Sequence, residues 1–476
     1  MSAIPRARNH PAPWEAVLFP ALAGGMGWGI RGQFGHETGA MIAGVLVGLT
    51  LLLSFGRGAT IAAGTRAAAL AAVALGIGGS MTYGQTIGLT QDRALVGCWP
   101  AWWWGMTGLG LKGAIWSGFA GLFLGLGFGS SRLSWRGVLT LLAALWALYL
   151  GGVWLLNSPH QPADRQLPLI YFSASWRWFG ADAELKPRPE VWGGLLVALL
   201  GAWAWIGWWR RDLLVRRLTV WGMVGGLGFP LGQCLQSYHA WNPQAWAASP
   251  WAALAPRMNW WNWMETLFGV AIGACLGLGL WRNRDLITLR ETENATDRPL
   301  LPEAVAWTLL GVNGVMLLLA DFSPLRWARA IYDPGLAIAV IPLVAIAGHD
   351  RWPRWVLLPV TLLPIAGKMI RHLVYETPAI NPVAGWFFYG ILPLAVIVLV
   401  AARLERRPPA DAAAWAQVAL PTAAWIYFAL NFAFFDFPWP WEPWTVRTPN
   451  AVAFAICLAG LTYAAVRTNR VARTGN

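Results

Sequence analysis

Apolar residues run along this chain in long blocks divided by polar turns, and a helix needs about 20 such residues to cross roughly 30 Å of hydrocarbon. Fourteen blocks meet or approach that measure: 14–31, 38–55, 64–85, 108–129, 137–155, 190–208, 218–235, 262–281, 303–320, 335–348, 354–374, 384–403, 412–435 and 449–467. Helices are expected throughout, because an unpaired peptide group in lipid is too costly for open sheets or exposed loops. The pattern predicts an all-α, polytopic membrane bundle of about 14 transmembrane helices.

Glycine separates these blocks into two zones. Nine of the 53 glycines follow residue 282, so 44 precede it. The expected organisation is a Gly-rich eight-helix membrane core over 1–281, a polar cytoplasmic linker over 282–302 and a six-helix membrane region over 303–476. Within the first zone glycines recur four residues apart, at Gly44 and Gly48, Gly121 and Gly125, Gly222 and Gly226, and Gly269, Gly273 and Gly277. That spacing leaves one helix face nearly bare, so backbones approach closely where lipid supplies no hydrophobic drive.

A repeated hairpin pattern overlies the zones. Gly24-Gly25 leads to Gly32-Gln33, Gly78-Gly79 to Gly84-Gln85, and Gly225-Gly226 to Gly232-Gln233. Glu37-Thr38, before one returning helix, recurs as Glu265-Thr266 before another. Repeats in polytopic membrane proteins point to a shared binding centre, and these copies are parallel in polarity, not inverted.

Composition agrees with a membrane location: 57% of residues are hydrophobic and 12% charged, where soluble domains carry about 25% charge. The net charge of +13 does not point to nucleic acid, since the basic residues are dispersed among loops. With fourteen alternating spans, Arg6 and Arg8, Arg57 and Arg66, Arg132 and Arg136, the run from Arg210 to Arg217, and Arg403, Arg406 and Arg407 share one side. The orientation rule makes that side cytoplasmic. An inner (plasma) membrane protein with both termini in the cytoplasm is expected. The first block reads as a retained span, because no small-residue cleavage site follows it.

On the opposite face, Arg31, Gln33, His36 and Glu37 are interleaved with glycines that let the turn bend sharply. Glu265 follows Asn259, Trp260, Trp261, Asn262 and Trp263, and Gln85 and Gln233 close the other repeat copies. Lys112 lies within an apolar block, where it snorkels to the interface or pairs with an acid; Glu37 and Glu265 are the expected partners. Late in the chain Lys368, Arg371, His372, Tyr375 and Glu376 fall at the outer end of one span, with Lys368, Arg371, His372 and Tyr375 on one helical stripe. His372 and Glu376, four apart, form an intrahelical contact more readily than a metal site, since no second ligand pair has a recognised spacing. The 35 tryptophans read chiefly as an interfacial belt, the alternative being a lining that stacks on a sugar or lipid headgroup. Cys98 and Cys234 share the outer face, where a disulfide is allowed.

No phosphate loop, dinucleotide fingerprint, nucleophile elbow or zinc spacing occurs, so no cofactor and no metal is expected. The leading functional expectation is a secondary transporter or permease for a small polar or anionic solute. Arg31, Gln33, Gln85, Gln233 and Arg371 would bind it, and Glu37, His36, Glu265 and Lys112 would carry coupling protons. The alternative is a membrane-embedded transferase acting on a lipid-linked or glycan substrate at the outer leaflet. There Glu37 or Glu265 is the base, helped by His36 or His372. Membrane lipids and a small polar or lipid-linked substrate are the expected partners, nucleic acid is not, and oligomerisation is left open.

Overall fold

The computed structural model describes residues 11–32, 36–79, 81–131, 133–289, 301–322, 341–348, 353–376, 379–434 and 447–474, with 325, 327–328 and 445 besides. The described chain is helical, without a named strand. In order come α1 (Pro13–Arg31), α2 (His36–Phe55), α3 (Ile61–Gly78), α4 (Gly84–Gln91), α5 (Trp99–Phe128), α6 (Trp135–Leu156), α7 (Trp176–Phe179), α8 (Trp192–Trp203), α9 (Leu213–Gly225), α10 (Gly228–Trp241), α11 (Pro243–Ala247), α12 (Trp260–Arg282) and α13 (Glu303–Phe322). The longer helices beyond them are Ile341–Gly348, Pro353–Ile370, Leu392–Arg406, Ala412–Phe434 and Thr448–Thr474. Among the described residues, eleven helical stretches are long and apolar enough to cross a membrane, and Gly39–Phe55 is a shorter apolar helix. The chain is a multi-pass helical membrane protein.

The four-residue glycine spacings lie at helix contacts. In the α1–α12 seam, a Cβ at Gly269 would overlap the Gly24 carbonyl, one at Gly273 the Pro20 carbonyl, and one at Gly277 the Ala16 carbonyl. Gly121 meets Leu218 and Gly222 meets Ser117 between α5 and α9, while Gly44 and Gly48 meet Ala72 and Ala68 between α2 and α3. Bare faces bring backbones together without intervening side chains. Ala412–Phe434 and Thr448–Thr474 pack on α1 and α2, so the later helices share the same bundle.

The structure departs from the expected blocks at two breaks. Residues 64–85 do not form one rod: α3 ends at Gly78, and α4 starts again at Gly84. The 218–235 block likewise divides between α9 and α10 around Gly226 and Leu227. Gly78-Gly79 therefore falls at a helix break and Gly225-Gly226 at a two-residue turn, whereas Gly24-Gly25 lies inside a continuous α1. Hydropathy registers the apolar run but not a few residues of lost helix within it. Lys112 sits well inside the 30-residue α5 with 1% of its surface exposed. It does not snorkel.

Candidate functional site

Where α1 ends and α12 begins, Arg31 and Glu265 form an ion pair with Nη2 to Oε1 at 2.9 Å, each about 1% exposed. Glu265 is not the cap of α12. Asn259 takes that role, its side chain accepting from the Asn262 N–H, and Glu265 lies more than a turn further in. Its Oε1 also accepts from the Tyr83 hydroxyl at 2.7 Å and the Trp261 indole at 3.0 Å, and its Oε2 from Asn262 Nδ2 at 3.2 Å. Asn262 Nδ2 also reaches the Gly29 carbonyl at 3.0 Å. Four donors around one carboxylate offset the large penalty for taking it out of water.

Arg31 is enclosed by aromatic faces, its guanidinium carbon 5.2 Å from the Trp28 ring, 5.2 Å from Tyr83 and 5.3 Å from Trp116. Such faces attract a cation more strongly once water is excluded. Glycine makes the approach possible. A Cβ at Gly32 would stand 3.1 Å from Glu265 Oε2, and one at Gly78 would collide with the Trp116 ring. Trp116 is held by its indole N–H, which donates to the Leu75 carbonyl at 2.8 Å.

A second buried ion pair lies beside the first. Lys112 Nζ meets Glu190 Oε1 at 2.6 Å and also donates to the Thr82 carbonyl at 3.0 Å and to Thr86 Oγ1 at 2.8 Å. This corrects the expected partners: the acid of Lys112 is Glu190, not Glu37 or Glu265. Glu190 accepts further from the Phe172 N–H and the Ser173 hydroxyl, so the 157–191 connection folds back onto α4 and α5. Within that connection, burial chiefly, and then the Glu190 charge, raise the Tyr171 hydroxyl far above the usual phenol range.

The break between α3 and α4 is the hub of both pairs. Tyr83 serves Glu265, and Thr82 serves Lys112. Gln85, at the start of α4, binds the connection's backbone, donating to the Lys186 carbonyl at 2.8 Å and accepting from the Arg188 N–H at 3.1 Å. Gln233, fully buried on α10, donates to Thr90 Oγ1 at the far end of α4, at 2.8 Å. Gln85 and Gln233 thus reach the same short helix but bond neither to Glu265 nor to each other.

Gln33 lies outside the described residues, as do the side chains of His36 and Glu37, although both residues belong to α2. Arg371 Nε meets Glu376 at 3.3 Å and His372 Nδ1 meets Glu376 at 3.8 Å, within the helical turns that follow Pro353–Ile370. The tryptophans divide between exposed and buried positions. Trp103, Trp154 and Trp209 are exposed, as in a belt, while Trp28, Trp116 and Trp261 line the Arg31–Glu265 pair. Cys98 and Cys234 are free thiols. An apolar crevice lined by Leu70, Phe123, Leu133 and Val344 opens beside Arg66. It lies twelve residues down α3 from Gly78, about 18 Å by helical rise, and has no part in the paired cluster.

Sequence reasoning passed over Tyr83, Trp28, Trp116 and Glu190. Glu190 was hidden in a loop whose charges balance, where nothing local marks one acid as buried. Tyr83 lies between the Gly-Gly and Gly-Gln of its copy, and that position was the available signal. The fold and this site define a multi-pass helical membrane protein with two adjoining buried ion pairs. Comparison with family models, curated proteins and solved structures finds no match to this chain.

Proposed function

We propose that this chain is an inner-membrane secondary transporter or permease for a small polar or anionic solute, with Arg31 and Glu265 at its binding centre. The observation that carries the reading is their ion pair, made between α1 and α12 at 1% exposure. A buried ion pair is a poor source of stability compared with apolar packing, and ionisable groups at membrane depth mark pathways and relays. An incoming anion would take the place of Glu265 on Arg31, and the released carboxylate would bind a proton, so one anion and one proton enter together. Asn262, Tyr83 and Trp261 would donate to the anion or to the neutral acid. Gln33, Gln85, Gln233 and Arg371 remain proposed solute ligands, and His36, Glu37 and Lys112 proposed proton carriers. Fourteen spans, an eight-helix core followed by six helices, related Gly-Gln hairpins and cytoplasmic termini belong to the same proposal.

Flux into proteoliposomes tests it. Proton-coupled uptake of small carboxylates, lost in Glu265→Gln and in Arg31→Gln, supports the reading; unchanged uptake in both variants refutes it.

One feature favours the transferase as a second reading. The two ion pairs gather at one end of the bundle, whereas transport needs access from both. Absent flux, together with group transfer to a lipid-linked acceptor that depends on Glu265 as base, would replace transport with this chemistry.

A further inference from the structure

At the opposite end of α12, Arg282 lies 17 residues from Glu265, about 26 Å by helical rise. There two separate stretches of chain bring arginines together. Arg217 on α9 donates from Nη1 to the Asn283 side chain at 2.9 Å, which places the run Arg210, Arg211, Arg216 and Arg217 beside Arg282 and Arg284. Two acids share this corner. Asp212 is 2% exposed and is engaged by the N–H groups of Ser131 and Val215. Asp285 is exposed. Among the described residues Arg211, Arg216 and Arg217 have no ion pair.

The corner also has a defined depth. The turn 210–212 joins two stretches that are long and apolar enough to span, Trp192–Trp209 and Leu213–Trp241. Trp208 and Trp209 precede it at 47% and 83% exposure, as rings at headgroup level do. Three of the cations lie over indoles, Arg210 at 5.9 Å from Trp205, Arg216 at 5.8 Å from Trp208 and Arg284 at 4.7 Å from Trp281. Stacking on an indole holds a guanidinium in place while its N–H groups still point outward, and guanidinium suits the oxygens of a phosphate.

We propose that this corner is a binding site for an anionic phospholipid, whose phosphate lies between the 210–217 run and Arg282 while its acyl chains follow α8 and α9. Charge complementarity selects the occupant. A zwitterionic headgroup brings its own cation into a cluster that is already strongly positive, whereas each arginine near the surface adds attraction for an anionic lipid.

The test uses the full chain in nanodiscs of equal phosphatidylglycerol and phosphatidylcholine, followed by native mass spectrometry of the lipids retained. Wild type should keep phosphatidylglycerol with at least about a tenfold preference, by the strength of several arginines at a charged surface. That preference should fall to near parity in Arg216→Gln/Arg217→Gln/Arg282→Gln. It should persist in Arg403→Gln/Arg406→Gln/Arg407→Gln, which removes an equal charge from another helix end. Equal loss in both triple variants, or none in the first, would overturn the site. Circular dichroism in phosphatidylcholine checks folding. Should the first triple variant unfold, Arg211→Asn on the exposed turn decides instead: its backbone has φ 58°, which asparagine tolerates, and an unchanged preference there refutes the proposal.

Discussion

Thr82 and Tyr83 are neighbours in sequence that serve different ion pairs: the Thr82 carbonyl accepts from Lys112 at 3.0 Å, and the Tyr83 hydroxyl donates to Glu265 at 2.7 Å. Both lie in the gap between the end of α3 at Gly78 and the start of α4 at Gly84. In an unbroken helix the Thr82 carbonyl would be taken by the N–H four residues on. The break releases it for Lys112. Displacement of either pair therefore acts on the backbone that holds the other, a physical link between the Glu265 carboxylate and the position of the 157–191 connection.

Removing one member of the first pair should cost far more than removing both. Glu265→Gln leaves Arg31 buried without its counter-charge, a loss of about 3–5 kcal/mol. Arg31→Met/Glu265→Gln should recover a large part of it. Thermal unfolding in detergent of both singles and the double forms the cycle, and strictly additive losses would contradict a direct coupling.

Tyr83→Phe keeps the ring that stacks on Trp261 and deletes one donor to a carboxylate, a loss of about 1.5–3 kcal/mol. Tyr83→Ala should cost clearly more, because the aromatic face beside Arg31 goes too. Equal melting temperatures for the two variants would show that the hydroxyl alone matters.

Glu190→Gln should loosen the 157–191 connection before the bundle itself melts. The expected readout is faster hydrogen exchange at the Phe172 amide, which donates to Glu190 at 3.0 Å, with little change in the α1–α12 seam. Protection at Phe172 equal to wild type would mean that the ion pair does not anchor this segment.

Glycine substitutions should divide by position. Gly273→Ala drives a Cβ into the Pro20 carbonyl, whereas a Cβ added at Gly151 in α6 would meet nothing within 4 Å. The first should lower the melting temperature substantially. Gly151→Ala should be neutral or stabilising by up to about 1 kcal/mol from helix propensity. Matching effects at the two sites would remove the close-packed seam as the cause.

The helical membrane class and the glycine contacts were legible in the sequence, because both depend on short-range regularities. A span is a run of apolar residues, and four-residue spacing places Gly269, Gly273 and Gly277 on one face whatever lies opposite. Arg31, Gln85, Lys112, Gln233 and Glu265 could be singled out as polar groups in or beside apolar blocks. Their partners could not be assigned. Arg31 and Glu265 are 234 residues apart, and Glu190 looked like one member of a balanced loop.

The sequence by itself determined that this chain folds as apolar helices with closely approaching Gly-faced seams, since hydrocarbon admits no other open-chain backbone and a bare face needs no particular partner. Only the tertiary structure decided that α3 breaks before α4, that Lys112 belongs to Glu190, and that Tyr83, Trp261 and Asn262 converge on Glu265. Pairing between charges depends on distance in space and on the exclusion of water, and both arise only when helices remote in sequence pack together.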